Sequence, residues 1–467
     1  MERSRRGVLA SVAGVFALAG CGSPESAWPV DEQPTIEADL KERAKQQLTE
    51  SSGRNVSATD LVAEYDADVY VFAEDDQFLA VDETETELAA TDDLGRTINE
   101  AQATLADGRI VVAADGLLRV AVEPANRISI RGVDPRAGFT PAETVDGSSV
   151  LYRLSDGTAE TDLTSVTLDM QYRGGSAIRA DGATGLAFDD LRVRNVGVHG
   201  TVFAGGRAID IRNTQFEGVS KNAVQVTDCS DVRIASCEST GSDRAVYVTD
   251  SSNVTISDYT TRNADYNAIG LYDYTENWEI TGCTAVDSGS TPFSASTARN
   301  GSFIDCVAEG TKTSGEAGFE IEYKADSDEE NTQDPVVGCS VESCTARDCS
   351  VGFYAREDDS KYDTGTPIVR PRFVDCTAES CDTGLFIGDT VEEAIVENFE
   401  AVDCNTDVVD NGKRTIVDGR STNEGDPSTQ GEWFGFAEAA AELDVVVEDT
   451  QEGTGYTATE RGVWQER

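Results

Sequence analysis

SAIRAD (176–181), GTVFAG (200–205), NAVQVTD (222–228), RAVYVTD (244–250) and NAIGLYD (267–273) are one phrase written five times, and TPFSAST (291–297), AGFEIEY (317–323), VGFYARE (351–357) and TGLFIGD (383–389) continue it. Each has a small residue, an apolar-x-apolar strand and a polar turn, after which a second apolar-x-apolar strand follows. Successive starts stand 24, 22, 22, 23, 24, 26, 34 and 32 residues apart. A period in the low twenties made of strands, with no helical spacing, predicts a β-solenoid that lengthens without needing a new core. The two long spacings mark insertions in the late coils, KADSDEENTQDP (324–335) and DDSKYDTGTP (358–367).

Working outward, residues 66–82 alternate at Val69, Val71, Phe72, Phe78 and Ala80 around Glu74, Asp75 and Asp76, which predicts a β-hairpin ahead of the solenoid. A short helix over 36–50 precedes it. TDDLGR (91–96) followed by Ile98, Ala101 and Leu105 predicts an amphipathic helix with acidic residues in its first turn, stopped by Asp107 and Gly108. IVVAADGLLRV (110–120) and RISIRGV (127–133) then read as the strands of an early coil. A capping helix followed by such strands resembles the pectate lyase-like superfamily of right-handed parallel β-helices, over roughly residues 92–410. The resemblance implies an all-β fold, a single-stranded right-handed parallel β-helix (a solenoid of about ten coils) with an N-terminal capping helix and a C-terminal cap. It does not imply a reaction, because the superfamily includes lyases, hydrolases, epimerases and proteins with no known activity.

After residue 418 the repeat fades into STNEGDPSTQGE (421–432). Trp433, Phe434 and Phe436 then open an alanine-rich segment ending in LDVVVED (443–449). That segment is expected to cap the last open coil edge. The chain therefore divides into 1–21, a signal; 22–35, a tether of Ser, Pro, Glu and Ala; 36–90, the N-terminal helix and hairpin; 91–419, the β-helix; and 420–467, a linker and cap.

The signal has an order of its own. Arg5 and Arg6 precede an apolar run from residue 8 to 19, and Leu18, Ala19, Gly20 and Cys21 close it. This looks like a twin-arginine export signal ending in a lipobox, with Cys21 lipidated and the folded part extracytoplasmic, anchored to the cell membrane through that lipid only. An ordinary signal peptide or a short anchor is the alternative. No later apolar segment approaches the ~20 residues that span a bilayer.

The formal charge is −50 and the isoelectric point near 4.1, with acids spread along the chain and only seven lysines among the 37 basic residues. This composition resembles that of haloarchaeal proteins, which work in molar salt where the Debye length is roughly 3 Å. Nucleic acid is excluded as a partner, since the positive excess that phosphates require is missing.

Stacking the coils puts Cys237, Cys283, Cys306, Cys344 and Cys376 in one column, with Val196, Thr214, Tyr259 and Phe399 at the same place in other coils. Cys349, Cys381 and Cys404 form a second column. The spacing of five between Cys339, Cys344 and Cys349 would suit a metal; the coil register, with no accompanying histidine or C-x-x-C pair, favours an inward ladder of small apolar thiols. A disulfide between Cys349 and Cys381 stays open.

In the resembled superfamily the ligand groove runs along the first sheet of the coils. With Val246 and Val248 inward, one outward column reads Arg179, Phe203, Gln225, Tyr247, Gly270, Ser294, Glu320, Tyr354 and Phe386. The other reads Asp181, Gly205, Thr227, Thr249, Tyr272, Ser296, Glu322, Arg356 and Gly388. Aromatic faces among carboxylates suit a saccharide chain. The late coils, where the insertions build walls, place the site at Glu320, Glu322 and Arg356 as catalytic candidates, with Tyr247, Tyr272, Lys324 and Tyr354 as substrate-binding ones.

Hydrolysis needs two carboxylates, and Glu320 and Glu322 lie two residues apart on one face, roughly 6.5–7 Å along a strand. Elimination from an acidic glycan would use Arg356 or Lys324 as base, with calcium held by the acidic loop 326–330, although that loop has no EF-hand spacing. A cross-coil ion pair of Glu322 with Arg356, serving structure alone, is the bland reading. Of the polygalacturonase motifs N-T-D, D-D, G-H-G and R-I-K, only Asp243 finds a match, at the first acid of the pair. His199, the sole histidine, lies ahead of these coils and reads as structural. The functional expectation is a cell-surface lipoprotein acting on or binding polysaccharide, as a lyase or hydrolase of acidic glycans, or else a non-catalytic adhesion or surface-structural protein.

Overall fold

The computed structural model describes residues 65–133, 137–142, 150–324, 335–357 and 366–418, and the backbone of three short strand segments beyond them. The expected helix at 36–50, the lipobox, the aromatic segment from Trp433 and most of both insertions lie outside these residues.

Strands of successive coils pair in parallel and collect into three long sheets of 17, 12 and 11 strands, so about twelve coils are wound rather than ten. The quoted phrases form the 11-stranded sheet, here the third: Ser176–Asp181, Thr201–Ala204, Asn222–Thr227, Arg244–Thr249, Ile269–Tyr272, Phe293–Ser296, Ala317–Tyr323, Val351–Glu357 and Thr383–Ile387 all belong to it. The second strand of each phrase forms the first and largest sheet, and a short third strand forms the second. A small sheet of Val336–Val337, Ile368–Val369 and Val391–Glu392 is added in the late coils.

What bends the chain at each corner is a residue in the left-handed region. One corner stacks Asp190, Asn213, Ser236, Asp258, Gly282, Asp305, Ser343, Asp375 and Asn398, all with φ between 49° and 64°. Asn, Asp and Gly tolerate this conformation best, the first two because a short polar side chain bonds locally. The stacked corner residues also bond along the column: Asn398 donates to Asp375 at 3.0 Å. The polar turns of the repeat are thus a backbone requirement repeated once per coil.

Inside, one continuous core holds the apolar positions of all three sheets. Phe293, Phe319 and Phe353 stack in adjacent coils at 4.8 and 5.2 Å with their planes within 8° of parallel. Large and small residues alternate where width demands it. Trp278 lies over Gly301 of the next coil, and a methyl group there would fall 2.1 Å from the indole.

At the N-terminal end, Val69–Glu74 and Gln77–Asp82 pair antiparallel, and Val69–Glu74 also joins the first sheet beside Gly108–Ala113. The helix Leu94–Gln102 covers the coil end with Leu94, Ile98 and Ala101. Asp93 is its N-cap, accepting from the Arg96 amide at 2.8 Å, so the acids expected in the first turn stand just before it.

The thiol column is inward. Cys237, Cys283, Cys306, Cys344 and Cys376 are all nearly solvent-free, and the Cys306 amide donates to Cys344 Sγ at 3.4 Å across one coil. Thr214, Tyr259 and Phe399 share the column as expected, but its member in the coil before Thr214 is Leu191. Val196 belongs to the second sheet, paired with Val219. Cys339, Cys344 and Cys349 stand at successive positions around one coil, and among the described residues no three His, Cys, Asp or Glu side chains converge on a metal position. The ten described cysteines are free, nine buried and Cys404 half-buried. Burial pushes Cys237 up to about 11 and Cys376 and Cys339 to about 12, so these thiols stay protonated and inert at neutral pH. Under native conditions a thiol reagent is expected to label Cys404 at most among these ten cysteines, and the other nine only on unfolding. Rapid native labelling of Cys306 or Cys344 would overturn this packing.

Candidate functional site

Glu320 and Glu322 project from the outer face of Ala317–Tyr323. In the coil before, Ser294 and Ser296 occupy the same two columns; in the coil after, Tyr354 and Arg356 do. The serines are small enough to leave the carboxylates room, and they hold them: Ser294 Oγ donates to Glu320 Oε2 at 3.5 Å and Ser296 Oγ to Glu322 Oε2 at 3.0 Å. Both glutamates are 6% exposed, although they lie on the outward side of a sheet. Carboxylates are rarely buried to that degree without partners. Arg356 stands opposite Glu322 in register and also reaches diagonally to Glu320, Nε to Oε1 at 3.4 Å. The same guanidinium lies 4.3 Å over the Tyr354 ring, and Tyr354 meets Phe386 edge-on at 4.8 Å. Lys324 follows at the strand end, where its amide and carbonyl bond the Thr297 hydroxyl.

Tyr272 and Tyr247 lie in earlier coils of the same face. Tyr272 does not stand upright: its ring folds back over Gly270, where any Cβ would lie 2.4 Å from it. It packs at 5.0 Å and 30° against Tyr247, and its hydroxyl donates to Asn267 Oδ1 at 2.8 Å. Burial raises its pKa, which keeps the hydroxyl a donor across the working pH range.

The structure therefore brings Glu320, Glu322, Tyr354, Arg356 and Lys324 into one patch and sets Tyr272 and Tyr247 beside it along the sheet. It also adds residues that the strand columns pass over. Arg244, at the coil corner, carries its guanidinium 4.3 Å from the Tyr266 ring and 5.5 Å from Tyr247, and pairs with Asp243 at 3.1 Å. The sequence signal for it is the charged residue that opens RAVYVTD, where most phrases open on a small or amide residue.

Two column assignments change. Ala180, not Arg179, stands beside Phe203, and Asp181 stands beside Ala204. Phe203 is therefore in the core, Val202 takes its outward place, and Ala204 replaces Gly205. In that coil the phrase starts at His199, and a one-residue slip exchanges the faces of a strand.

His199 is neutral. Burial, then Lys221 and Arg179, lower its pKa to about 4, and its Nδ1 faces the Asn222 amide at 3.4 Å. The folded value lies below the unfolded one, so the stability it confers is complete above about pH 6.5 and is lost as pH falls through about 4. Because the chain has one histidine, a proton NMR titration reads it without assignment; an apparent pKa near 6.5 would contradict this environment.

A cleft of about 550 Å³ near the N-terminal end, rimmed by Asp66, Asp68, Glu83, Asp107 and Arg109, has charged walls and no aromatic face. It suits a sugar less well than the third sheet does.

The family described as right handed beta helix region matches residues 196–336. No curated protein matches the chain in sequence. Among solved structures, the catalytic domain of GH87 alpha-1,3-glucanase in complex with nigerose is similar at a TM-score of 0.51 and 9% identity, over 70% of this chain and 66% of that one. The catalytic unit of the thermostable GH87 alpha-1,3-glucanase from Streptomyces thermodiastaticus strain HF3-3 is similar at 0.51 and 11%, over 72% and 68%. A surface adhesin of Streptococcus pneumoniae, PfbA, is similar at 0.43 and 12%, over 69% and 88%. The chain thus spans just under two thirds of the first glucanase domain. The family match, together with the coiled parallel sheets, bears out the resemblance to the right-handed parallel β-helix superfamily, and the two glucanase likenesses, at such identities, concern the fold alone.

Proposed function

We propose that the protein binds a polysaccharide chain along the outer face of the third sheet, over the coils from Arg244 to Arg356. The observation that carries this reading is the pair of buried, hydroxyl-bonded carboxylates, Glu320 and Glu322, set on an outward sheet face and bordered by Tyr272, Tyr354 and Arg356. Flat aromatic faces beside fixed polar groups match the two sides of a sugar ring, apolar C–H and polar hydroxyl. The fold is also one on which an alpha-1,3-glucanase catalytic domain holds nigerose.

Hydrolysis is the chemistry this pair best permits. The two residues stand roughly 6.5–7 Å apart along the strand, a backbone spacing that is permissive for a carboxyl pair in which one acts as acid and the other as base for water. Elimination fits less well: Arg356 pairs with Glu320 and lies on Tyr354, and an arginine is always charged, so it serves as a clamp and not as a base. Calcium at residues 326–330 belongs to that elimination reading alone. A purely adhesive role is favoured by one observation, the engagement of Glu320 by Arg356.

A panel of polysaccharides assayed in high salt for binding, for new reducing ends and for unsaturated uronates separates these readings. Binding with reducing ends supports hydrolysis, binding without product supports adhesion, and no binding to any polysaccharide ends the proposal. We propose further that Cys21 is lipidated and tethers the β-helix outside the cell membrane. Cys21→Ser is then expected to release the protein into the medium; a variant still in the membrane fraction would refute the tether.

A further inference from the structure

We propose that Cys381 and Cys404 form a redox couple, whose disulfide closes in oxidising surroundings and staples the last coil among the described residues to the coil before it.

Arg347, Glu379 and Val402 pair in register across three coils of the second sheet. Each is followed two residues later by a cysteine, so Cys349, Cys381 and Cys404 stack in one column against the core. The register holds past them. The Asp382 amide donates to the Cys349 carbonyl at 3.3 Å, and the Asn405 amide to the Cys381 carbonyl at 3.2 Å. Neighbouring strands stand about 4.8 Å apart, inside the roughly 4.4–6.8 Å between Cα atoms that a disulfide spans. Cys404 also turns its sulfur back along the column, 3.5 Å from the Ala378 carbonyl in the coil that carries Cys381.

Access separates this pair from the other thiols. Cys349 and Cys381 are 4% and 2% exposed, whereas Cys404 is half-buried. Cys404 is the last cysteine of the chain, and the core thins around it: Ala401 and Val408 are only partly buried and Val402 is exposed. A small oxidant therefore reaches Cys404 first, and the next thiol inward is Cys381. Hydrogen bonds from Cys349 above all, with a smaller one from Cys404, lower the pKa of Cys381 against the effect of burial. Cys381 is thus the thiol suited to attack, and Cys404 the one to be attacked.

With a small disulfide such as oxidised glutathione as oxidant, the chemistry runs in two exchanges. The Cys404 thiolate attacks one sulfur of the reagent, a mixed disulfide forms and the first glutathione thiolate leaves. The Cys381 thiolate then attacks the Cys404 sulfur, the bond between the two residues forms and the second glutathione leaves. The protein gives up two electrons and two thiol protons, and the reagent is reduced to two thiols. The new bond closes a loop that contains the whole last coil, which removes open conformations of that coil.

The test incubates the folded protein in high salt with oxidised glutathione and maps its cysteine peptides by mass spectrometry, for wild type, Cys404→Ser and Cys349→Ser. The wild type and Cys349→Ser should each yield one cross-linked peptide pair, joining Cys381 to Cys404, while Cys404→Ser yields none. Hydrogen exchange of the Thr406–Asp410 amides should slow roughly tenfold or more in the oxidised wild type and stay unchanged in Cys404→Ser under the same treatment. Both serine variants replace a thiol by a side chain of nearly its size, and circular dichroism checks that each still folds. A glutathione adduct that persists on Cys404, a link between Cys349 and Cys381, an intermolecular link through Cys404, or no oxidation in the wild type overturns the couple. Cross-linking without slower exchange overturns the staple.

Discussion

Phe319→Ala is expected to lower the unfolding free energy by about 3–5 kcal/mol, the range for deleting a buried phenyl ring from a packed core. The ring lies between Phe293 and Phe353 at 4.8 and 5.2 Å and meets Phe303 edge-on at 5.9 Å, so its loss opens a void that touches three coils. Neighbouring rings are fixed in parallel planes by strands paired above and below, which limits collapse into the space. Phe319→Leu, nearer in volume, should cost about 1.5 kcal/mol or less. Chemical denaturation monitored by circular dichroism reads both. A loss under about 1 kcal/mol for the alanine variant would mean that the phenylalanine column is not a stacked core. Because Glu320 is the next residue, the same change should also loosen the site from beneath.

Arg356→Ala has the second large effect, and it acts on stability and function together. Breaking a fully buried ion pair costs about 3–5 kcal/mol. Here the arginine side chain is 27% exposed and the glutamate 7%, which puts the expectation nearer about 1–3 kcal/mol. The cost arises because Glu320 keeps its buried position after losing the guanidinium beside it. Glu320→Gln in the same chain should therefore restore most of the stability, and a double-mutant cycle isolates the pair. Glycan affinity should not return with it, since the cation and its tyrosine-backed face remain absent. Recovery of both would make Arg356 a partner of Glu320 and nothing more.

Most of the architecture was legible because a parallel solenoid repeats its constraints once per coil. Apolar pairs, corner residues with positive φ and the thiol column all recur at the coil period, so strands such as Arg244–Thr249 could be read from their letters. The reading slipped where one coil lacked contrast: in HGTVFAG both alternations present small or apolar residues, and only the pairing of Ala180 with Phe203 decides between them. Glu320, Glu322, Tyr354 and Arg356 were visible as neighbours because they share two columns. Their hydrogen bonds were not, since the diagonal reach of Arg356 depends on rotamers and on serines in the coil below. Tyr272 was legible as outward, but its folded-back ring depends on the missing side chain of Gly270. The Arg244 cluster escaped because corner residues meet across coils, where strand periodicity carries no information.

The most direct test of the glycan-binding face is affinity electrophoresis, in high salt, of the polysaccharide that the panel identifies, comparing wild-type protein with a Tyr272→Ala/Tyr354→Ala variant. Both tyrosines border the carboxylate pair and neither belongs to the apolar core, so folding should persist and His199 should report an unchanged environment. Retardation of the wild type with a loss of roughly tenfold or more in the variant, about 1.4 kcal/mol or above, is the predicted result. Equal retardation of the two proteins would contradict the assignment of this face.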